Sequence, residues 1–100
     1  MNQELNELGI SFESQENVIE VYGESFFESI IDNIDWLKEN IKLFSNYNLD
    51  YDEVFAIYPD ILVENPVILS EKLKNFIQNL GINYQSLLSD DLSLYEQLSK

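Results

Sequence analysis

Carboxylates are the reactive groups this chain has in quantity: 19 Asp and Glu stand against five lysines, and histidine, cysteine and arginine are absent. Two carboxylates at a fixed separation can act as the acid and base of a glycosidase. With so many available, some pairs must fall close together on any fold, and a solvated surface accounts for them. Ser-His-Asp and Cys-His sets, zinc sites built on His or Cys, and arginine clamps on phosphate cannot be assembled at all. The phrase "DYDE", Asp50 to Glu53, has the opening spacing of a calcium loop, but the glycine and terminal glutamate that such a loop requires are missing in register. No glycine-rich phosphate loop occurs. The sequence therefore predicts no enzyme activity, no catalytic residues, no metal site and no cofactor.

What carboxylates can do here is attract a basic partner. Glu16, Glu20, Glu24, Glu28, Asp32, Asp35 and Glu39 recur at steps of four, four, four, four, three and four, which on a continuous helix would form one acidic ridge. Residues 1–37 hold nine acidic residues and no lysine, whereas Lys38, Lys42, Lys72 and Lys74 lie between positions 38 and 74. A net charge of −14 repels nucleic-acid backbones, which proteins bind largely through Lys and Arg, and disfavours an anionic membrane surface. It steers basic proteins toward the chain. One ridge is too sparse to imitate a duplex, since four residues rise about 6 Å along a helix and duplex DNA carries a charge about every 1.7 Å. Mimicry would need Asp50, Asp52, Glu53, Asp90 and Asp91 on the same side. Without them the ridge reads as the solvated face of a helix.

These residues need elements to position them. One hundred residues, 45% hydrophobic with 13 aromatics, suffice for one core and predict a single acidic helical domain over residues 1–100. No apolar run approaches the ~20 residues that span a bilayer, and "MNQELNELGI" lacks the regions of a signal peptide. The expected location is the cytoplasm, or the host cytoplasm for a viral protein. From Ser25 to Phe44 the spacing predicts one helix, with Ser25 and Glu28 as a capping box and Phe26, Ile30, Ile34, Leu37, Ile41 and Phe44 on one face. Residues 10–22 are open between two readings. "VIEVY" and the turn-like "SQEN" favour a short β-hairpin, while Ile19, Tyr22 and Phe26 would extend the downstream stripe if Gly23 sat inside a helix. The hairpin is the expected form.

Downstream, Asp50 is placed to cap a short helix that Pro59 ends or redirects. Asn65 and Pro66 open another helix, with Val67, Ile68, Leu73, Phe76, Ile77 and Leu80 on its apolar face and Gly81 as a left-handed cap. Asn83 or Ser86 starts a further turn. Ser89 or Asp90 caps a last helix through Leu92, Tyr95 and Leu98.

Two stretches repeat. "ENIKLFSNYNLDYDEVFAIYPDIL" aligned with "EKLKNFIQNLGINYQSLLSDDLSLY" pairs Glu39 with Glu71, Ile41 with Leu73 and Phe44 with Phe76. After one inserted residue it pairs Leu49 with Ile82, Tyr51 with Tyr84, Val54 with Leu87 and Leu62 with Tyr95. "LGISF" from Leu8 echoes "LGINY" from Leu80 as a weaker third copy. A period near 33 residues is typical of helical repeats that bury their cores by stacking. The order, an amphipathic helix, "LG" with an apolar residue, a short helix, "YPDIL" and another amphipathic helix, resembles the repeat of the mitochondrial transcription termination factor family over Asn33 to Leu98. The resemblance implies about two units of that scaffold. It carries over none of the family's basic nucleic-acid contacts, and Leu92 stands where Pro59 would align.

The expected fold is mainly α, with short helices packed as about two helical-repeat-like units and a small N-terminal hairpin over residues 10–22. The expected function is that of an acidic inhibitor or decoy occupying the basic cleft of a nucleic-acid-handling protein, in the manner of viral counter-defence proteins. Its partner-binding residues would be the seven of the ridge. It would bind neither nucleic acid nor membrane directly and could form a homodimer. The alternative is an adaptor module that uses an apolar groove between repeats, with Trp36, Tyr47, Tyr51, Tyr58 or Tyr84 as anchors.

Overall fold

The computed structural model describes residues 1–99, and these are mainly α-helical, with no β-strand among them. In chain order the helices are α1 (Gln3–Glu7), α2 (Phe12–Tyr22), α3 (Glu24–Asp32), α4 (Ile34–Asn46), α5 (Tyr51–Ile57), α6 (Pro59–Leu62), α7 (Pro66–Leu80) and α8 (Tyr84–Asp90), with a 3₁₀ segment, Leu92–Leu98, after them. Helix α2 packs on α3 and α5, α5 on α6, and α4 on α7, with the 3₁₀ segment against α7 and α8. One apolar cluster runs through all of them, from Leu5 and Ile10 to Tyr95 and Leu98. At its C-terminal side Tyr95 lies between Phe44 and Phe76, with ring centroids 6.1 and 6.0 Å away.

The expected hairpin is a helix. The hydroxyl of Ser11 accepts from the Ser14 amide at 3.1 Å and caps α2. Val18, Ile19 and Val21 are indifferent helix formers, each unfavourable by only a few tenths of a kcal/mol, and tertiary packing overrides that. Ser14, Gln15 and Val18 are buried at steps of one and three, a helical rather than alternating pattern. Gln15 decides the matter: its Oε1 accepts from the Asn2 amide at 2.8 Å, and its Nε2 donates to the carbonyls of Asn2 at 3.1 Å and Ile10 at 3.2 Å. Two of these three bonds go to Asn2, thirteen residues away, a partner the local sequence does not reveal. Nor does Gly23 continue the helix. With φ 92° and ψ 162° it ends α2 and begins α3.

The single helix expected over Ser25–Phe44 is two. Asn33 interrupts it at φ −113°, ψ 34°. Its Nδ2 donates to the Ser29 carbonyl at 3.0 Å, while its backbone amide turns to Ile30 at 3.1 Å. The side chain thereby takes the carbonyl that a continuous helix would reserve for the backbone. Ser25 and Glu28 form no capping box, because α3 starts one residue earlier, at Glu24, with Gly23 as a cap that has no side chain. The expected core face is present at Ile30, Leu37, Ile41 and Phe44, all buried.

Further on, Asp50 caps α5 by accepting from Glu53, Asn65 caps α7 by accepting from Val67, and Pro59 opens α6 directly after α5 ends. Leu69, Leu73 and Phe76 form the buried face of α7, and Val67 and Ile68 do not, being 80% and 48% exposed. At about 100° per residue, Val67 and Ile68 sit well round the helix from Leu69, and the steps of four and three belong to 69, 73 and 76. The last cap is Asp91, accepting from the Ser93 amide at 3.0 Å, and the segment it caps is 3₁₀ rather than α. Asn83 stands at the start of α8 without a side-chain cap bond.

Three interhelical junctions share one build: a positive-φ residue, an apolar residue, a polar residue, then an aromatic that opens the next helix. They are Gly9-Ile10-Ser11-Phe12, Asn48-Leu49-Asp50-Tyr51 and Gly81-Ile82-Asn83-Tyr84, with φ of 97°, 57° and 86° at the first position. At the first two, the apolar residue's amide reaches back to the helix, Ile10 to Leu5 and Leu49 to Phe44, both at 3.0 Å, closing the helix end in a Schellman turn. The third closes differently, with Gly81 donating to Ile77 and ψ extended at −166°. Tyrosines then tie one junction to the next. The Tyr51 hydroxyl donates to the Leu8 carbonyl at 2.9 Å, and the Tyr84 hydroxyl donates to the Tyr47 carbonyl at 3.0 Å. Leu8 and Tyr47 occupy the same place, one residue before the positive-φ position.

Gly9 is where this contact is tightest, because a Cβ there would overlap the Tyr51 hydroxyl, whereas a Cβ on Gly81 would meet nothing. Gly81→Ala is expected to cost about 1–3 kcal/mol, the backbone penalty alone of a positive-φ, extended-ψ conformation nearly confined to glycine. Gly9→Ala should cost clearly more, and Tyr51→Phe about 1 kcal/mol for the lost hydrogen bond. Urea denaturation of the three variants checks the order, and equal costs for the two glycine variants would contradict a close-fitting joint at Gly9.

Asn40 is fully buried on α4, and its Nδ2 donates to the carbonyls of Leu62 at 2.8 Å and Glu64 at 2.7 Å. Its Oδ1 has no partner among the described residues. Asn40→Asp replaces that donor with a buried carboxylate facing two carbonyls, so its folded pKa must lie above the unfolded value of about 3.9. Stability should be greatest below that value and fall as pH rises through the raised folded pKa. At pH 7 the loss should be on the order of 3 kcal/mol, measured as thermal unfolding at pH 4 and pH 7.

Candidate partner-binding site

The seven ridge carboxylates are all exposed, but the two helix breaks divide them. Glu16 and Glu20 belong to α2, Glu24, Glu28 and Asp32 to α3, and Asp35 and Glu39 to α4. The period of 3.6 residues does not carry across Gly23 or Asn33, so the continuous ridge expected from spacing is not formed. Glu39 also pairs with Lys42 at 3.4 Å, and Lys38 reaches Glu4 at 3.1 Å. Both pairs are solvent-exposed and contribute little to stability.

Two of the seven do meet an apolar surface. Glu24, Phe27, Glu28 and Ile31 are spaced i, i+3, i+4 and i+7 and lie on one face of α3. Together with Ile19 of α2 and the segment Met1–Asn2 they line a surface groove of about 320 Å³. Phe27 is buried, Ile19 and Ile31 are half-buried, and the two glutamates are exposed. The groove therefore has an apolar floor and an acidic rim. Its third wall depends on Gln15, whose side chain bonds both the amide and the carbonyl of Asn2, while the Asn2 side chain caps α1 by accepting from Leu5 at 2.9 Å. A groove of this size falls within the range that holds a small ligand or one anchoring side chain. Two carboxylates above such a floor favour a hydrophobic group flanked by positive charge.

The aromatics expected as anchors have other duties. Tyr51 and Tyr84 commit their hydroxyls to the junctions, Tyr47 packs edge-on against Tyr84 with centroids 6.3 Å apart, and Tyr58 donates to Glu96 at 3.2 Å. Trp36 is 43% exposed and does not line the groove. A second apolar surface lies where α2 meets α5: Tyr22 stacks on Phe26 at 5.0 Å and donates to the Ile57 carbonyl at 3.0 Å, beside exposed Val21 and Ile57. Near the second junction, Asp50, Glu53, Leu88 and Tyr95 bound a smaller cavity of about 170 Å³. Burial, with Asp50 and Glu53 adding to it, raises the Tyr95 hydroxyl well above the usual phenol range, so it stays neutral beside them.

Of the residues that line the groove, the sequence singles out Glu24 and Glu28 but not Ile19, Phe27 and Ile31, because apolar side chains on a helix read as core. The signal available was the i, i+3, i+4, i+7 mixture of acidic and apolar residues on one face, which a purely buried face does not tolerate. Gln15 gave no signal, since its partner is set by the fold. Among the described residues no helix is long and apolar enough to cross a membrane. No group of three or more Asp or Glu among them converges closely enough to hold a metal ion.

Compared with known proteins, this chain is matched by no family model, no curated protein and no solved structure.

Proposed function

We propose that this protein is a non-catalytic helical-repeat interaction module that docks a partner polypeptide in the groove between α2, α3 and the N-terminal segment. The observation that carries this reading is the apolar floor of Ile19, Phe27 and Ile31 beneath the Glu24 and Glu28 carboxylates. The repeat reading draws on the three like-built junctions and on the tyrosines that join them. A partner would insert one Leu or Phe side chain, worth about 1.5–3 kcal/mol on burial, and set lysines or arginines against the rim. The acidic surface of residues 1–37 then serves to speed encounter and to select basic partners.

A second reading is favoured by the exposure of all seven ridge carboxylates. In it the acidic surface itself is the contact, and the protein acts as a decoy in the basic cleft of a nucleic-acid-handling protein. The two readings differ in what they require of the groove and of salt.

Short peptides carrying one Leu or Phe between lysines, titrated while the side-chain NMR resonances of Phe27 and Ile31 are followed, separate them. Under the groove reading those resonances shift saturably, and the same peptides with glutamates in place of the lysines do not bind. Ile31→Lys abolishes binding with the helical circular dichroism intact. Glu24→Gln and Glu28→Gln each weaken it ~2–5-fold, the contribution of an exposed charge pair. Under the decoy reading Ile31→Lys changes little, changing Glu20, Glu24, Glu28 and Asp32 together to Gln removes binding, and affinity falls steeply with salt. Binding that shifts neither floor residue excludes the groove.

A further inference from the structure

The joint made twice within this chain is left half-built at two other places. Where one junction is covered by the next, its apolar residue is buried: Ile10 is 0% exposed and Leu49 7%. At the third junction the same position, Ile82, is 95% exposed. Three residues after each opening aromatic, Gln15 and Val54 are 0% exposed while Leu87 is 41% exposed. Around Gly81 there is open space where Tyr51 presses on Gly9. At the opposite end, Phe12 holds the position of Tyr51 and Tyr84 but is 44% exposed, with no earlier junction among the described residues to reach. The molecule thus displays a junction without its covering aromatic and an aromatic without a junction to cover, the former differing from the two covered junctions in that Gly81 has an extended ψ of −166° and closes on Ile77 without a Schellman turn.

We infer that a second copy of this chain occupies the third junction head to tail, with Phe12 of one copy lying over Gly81 and Ile82 of the other. Continuity with the internal joint names the occupant, and charge distribution permits it. Residues 66–100 carry four carboxylates and three lysines, net −1, which leaves −13 on residues 1–65 of the −14 total. Head-to-tail contact sets the acidic end against the nearly neutral end. Head-to-head contact would bring two acidic ends together. The interface is heterologous, so it grows beyond a dimer or closes into a ring. Phe12 has no hydroxyl to give the Leu80 carbonyl, so the intermolecular joint lacks the hydrogen bond of the internal ones and association is weaker and concentration-dependent.

The inference rests on the repeat reading of the junctions and not on the groove. Sedimentation velocity of the full chain between about 1 µM and 1 mM is expected to show mean mass rising past that of a dimer. Phe12→Glu and Ile82→Glu should each be monomeric with unchanged circular dichroism. Mixed in equal amounts they should form a one-to-one complex that grows no further, because each keeps the half that the other lacks. Phe12→Tyr should tighten assembly about five-fold by restoring the donor. If Phe12→Glu fails to fold, Ile82→Glu alone suffices, since substoichiometric amounts should cap and shorten wild-type assemblies.

A wild-type monomer throughout the range overturns the inference, as does assembly unaffected by either charge or a dimer that the mixture of variants cannot form. If the internal joint has the energetics expected for Gly9→Ala and Tyr51→Phe, such a failure removes the stacking and leaves the repeat reading standing.

Discussion

The phenol of Tyr51, donating at 2.9 Å to the Leu8 carbonyl across the gap that Gly9 leaves, is the contact on which the arrangement of helices depends. A chain that folds into many short helices creates many helix ends, and each end exposes carbonyls that intrahelical bonding cannot satisfy. Schellman turns at Gly9 and Asn48 pair some of them. The tyrosines pair the carbonyls just before the turn and, in doing so, fix where the next helix must start. One hydrogen bond therefore does two jobs. It satisfies a helix end and sets the spacing between successive junctions. Glycine at position 9 is required by that closeness as much as by its positive φ.

Buried amides complete what the phenols begin. Gln15 bonds the N-terminal segment to α2, and Asn40 bonds α4 to the carbonyls at the end of α6. Both lie fully inside the core, where the paired amide of Gln15 and the paired Nδ2 of Asn40 fix a single register, the Asn40 Oδ1 alone having no partner among the described residues. Short helices with modest apolar faces could slide against one another, and these amides oppose such sliding because any shift strands them. The aromatic trio of Phe44, Phe76 and Tyr95 adds packing at the C-terminal side.

The same architecture divides the surface. Charge gathers on the first two thirds of the chain, away from the core, and costs stability through self-repulsion while it keeps the surface soluble. Exposed apolar side chains fall at Val21, Tyr22 and Ile57 where α2 meets α5, at Trp36, at Val67 and Ile68 on the outer face of α7, and at Ile82 and Leu87 by the uncovered third junction, while the groove on α2 and α3 has a buried to half-buried apolar floor. The groove combines both kinds of surface. It exists because Gly23 turns the chain between α2 and α3, setting Ile19 opposite the i, i+3, i+4, i+7 face of α3, and because Gln15 holds Asn2 alongside.

The local rules of sequence determined a good deal of this protein. Caps at Asp50 and Asn65, the end of α5 before Pro59, the core face of α4 and the like pattern of the junctions are dictated by neighbours within a turn, so reading them needs no third dimension. The absence of histidine, cysteine and arginine likewise limits the chemistry before any fold exists. Where sequence misled, the deciding partner was distant or in competition. Residues 10–22 read as a hairpin because β-branched propensity is local, while the bonds of Gln15 to Asn2 belong to the tertiary structure. Asn33 broke a well-patterned helix because its side chain outcompetes the backbone for the Ser29 carbonyl, and with that break the acidic ridge came apart. Spacing placed Glu24 and Glu28 on one helix face, but only packing could set Ile19 and Asn2 across from them. A groove is a relation between elements, and the sequence of one element cannot contain it.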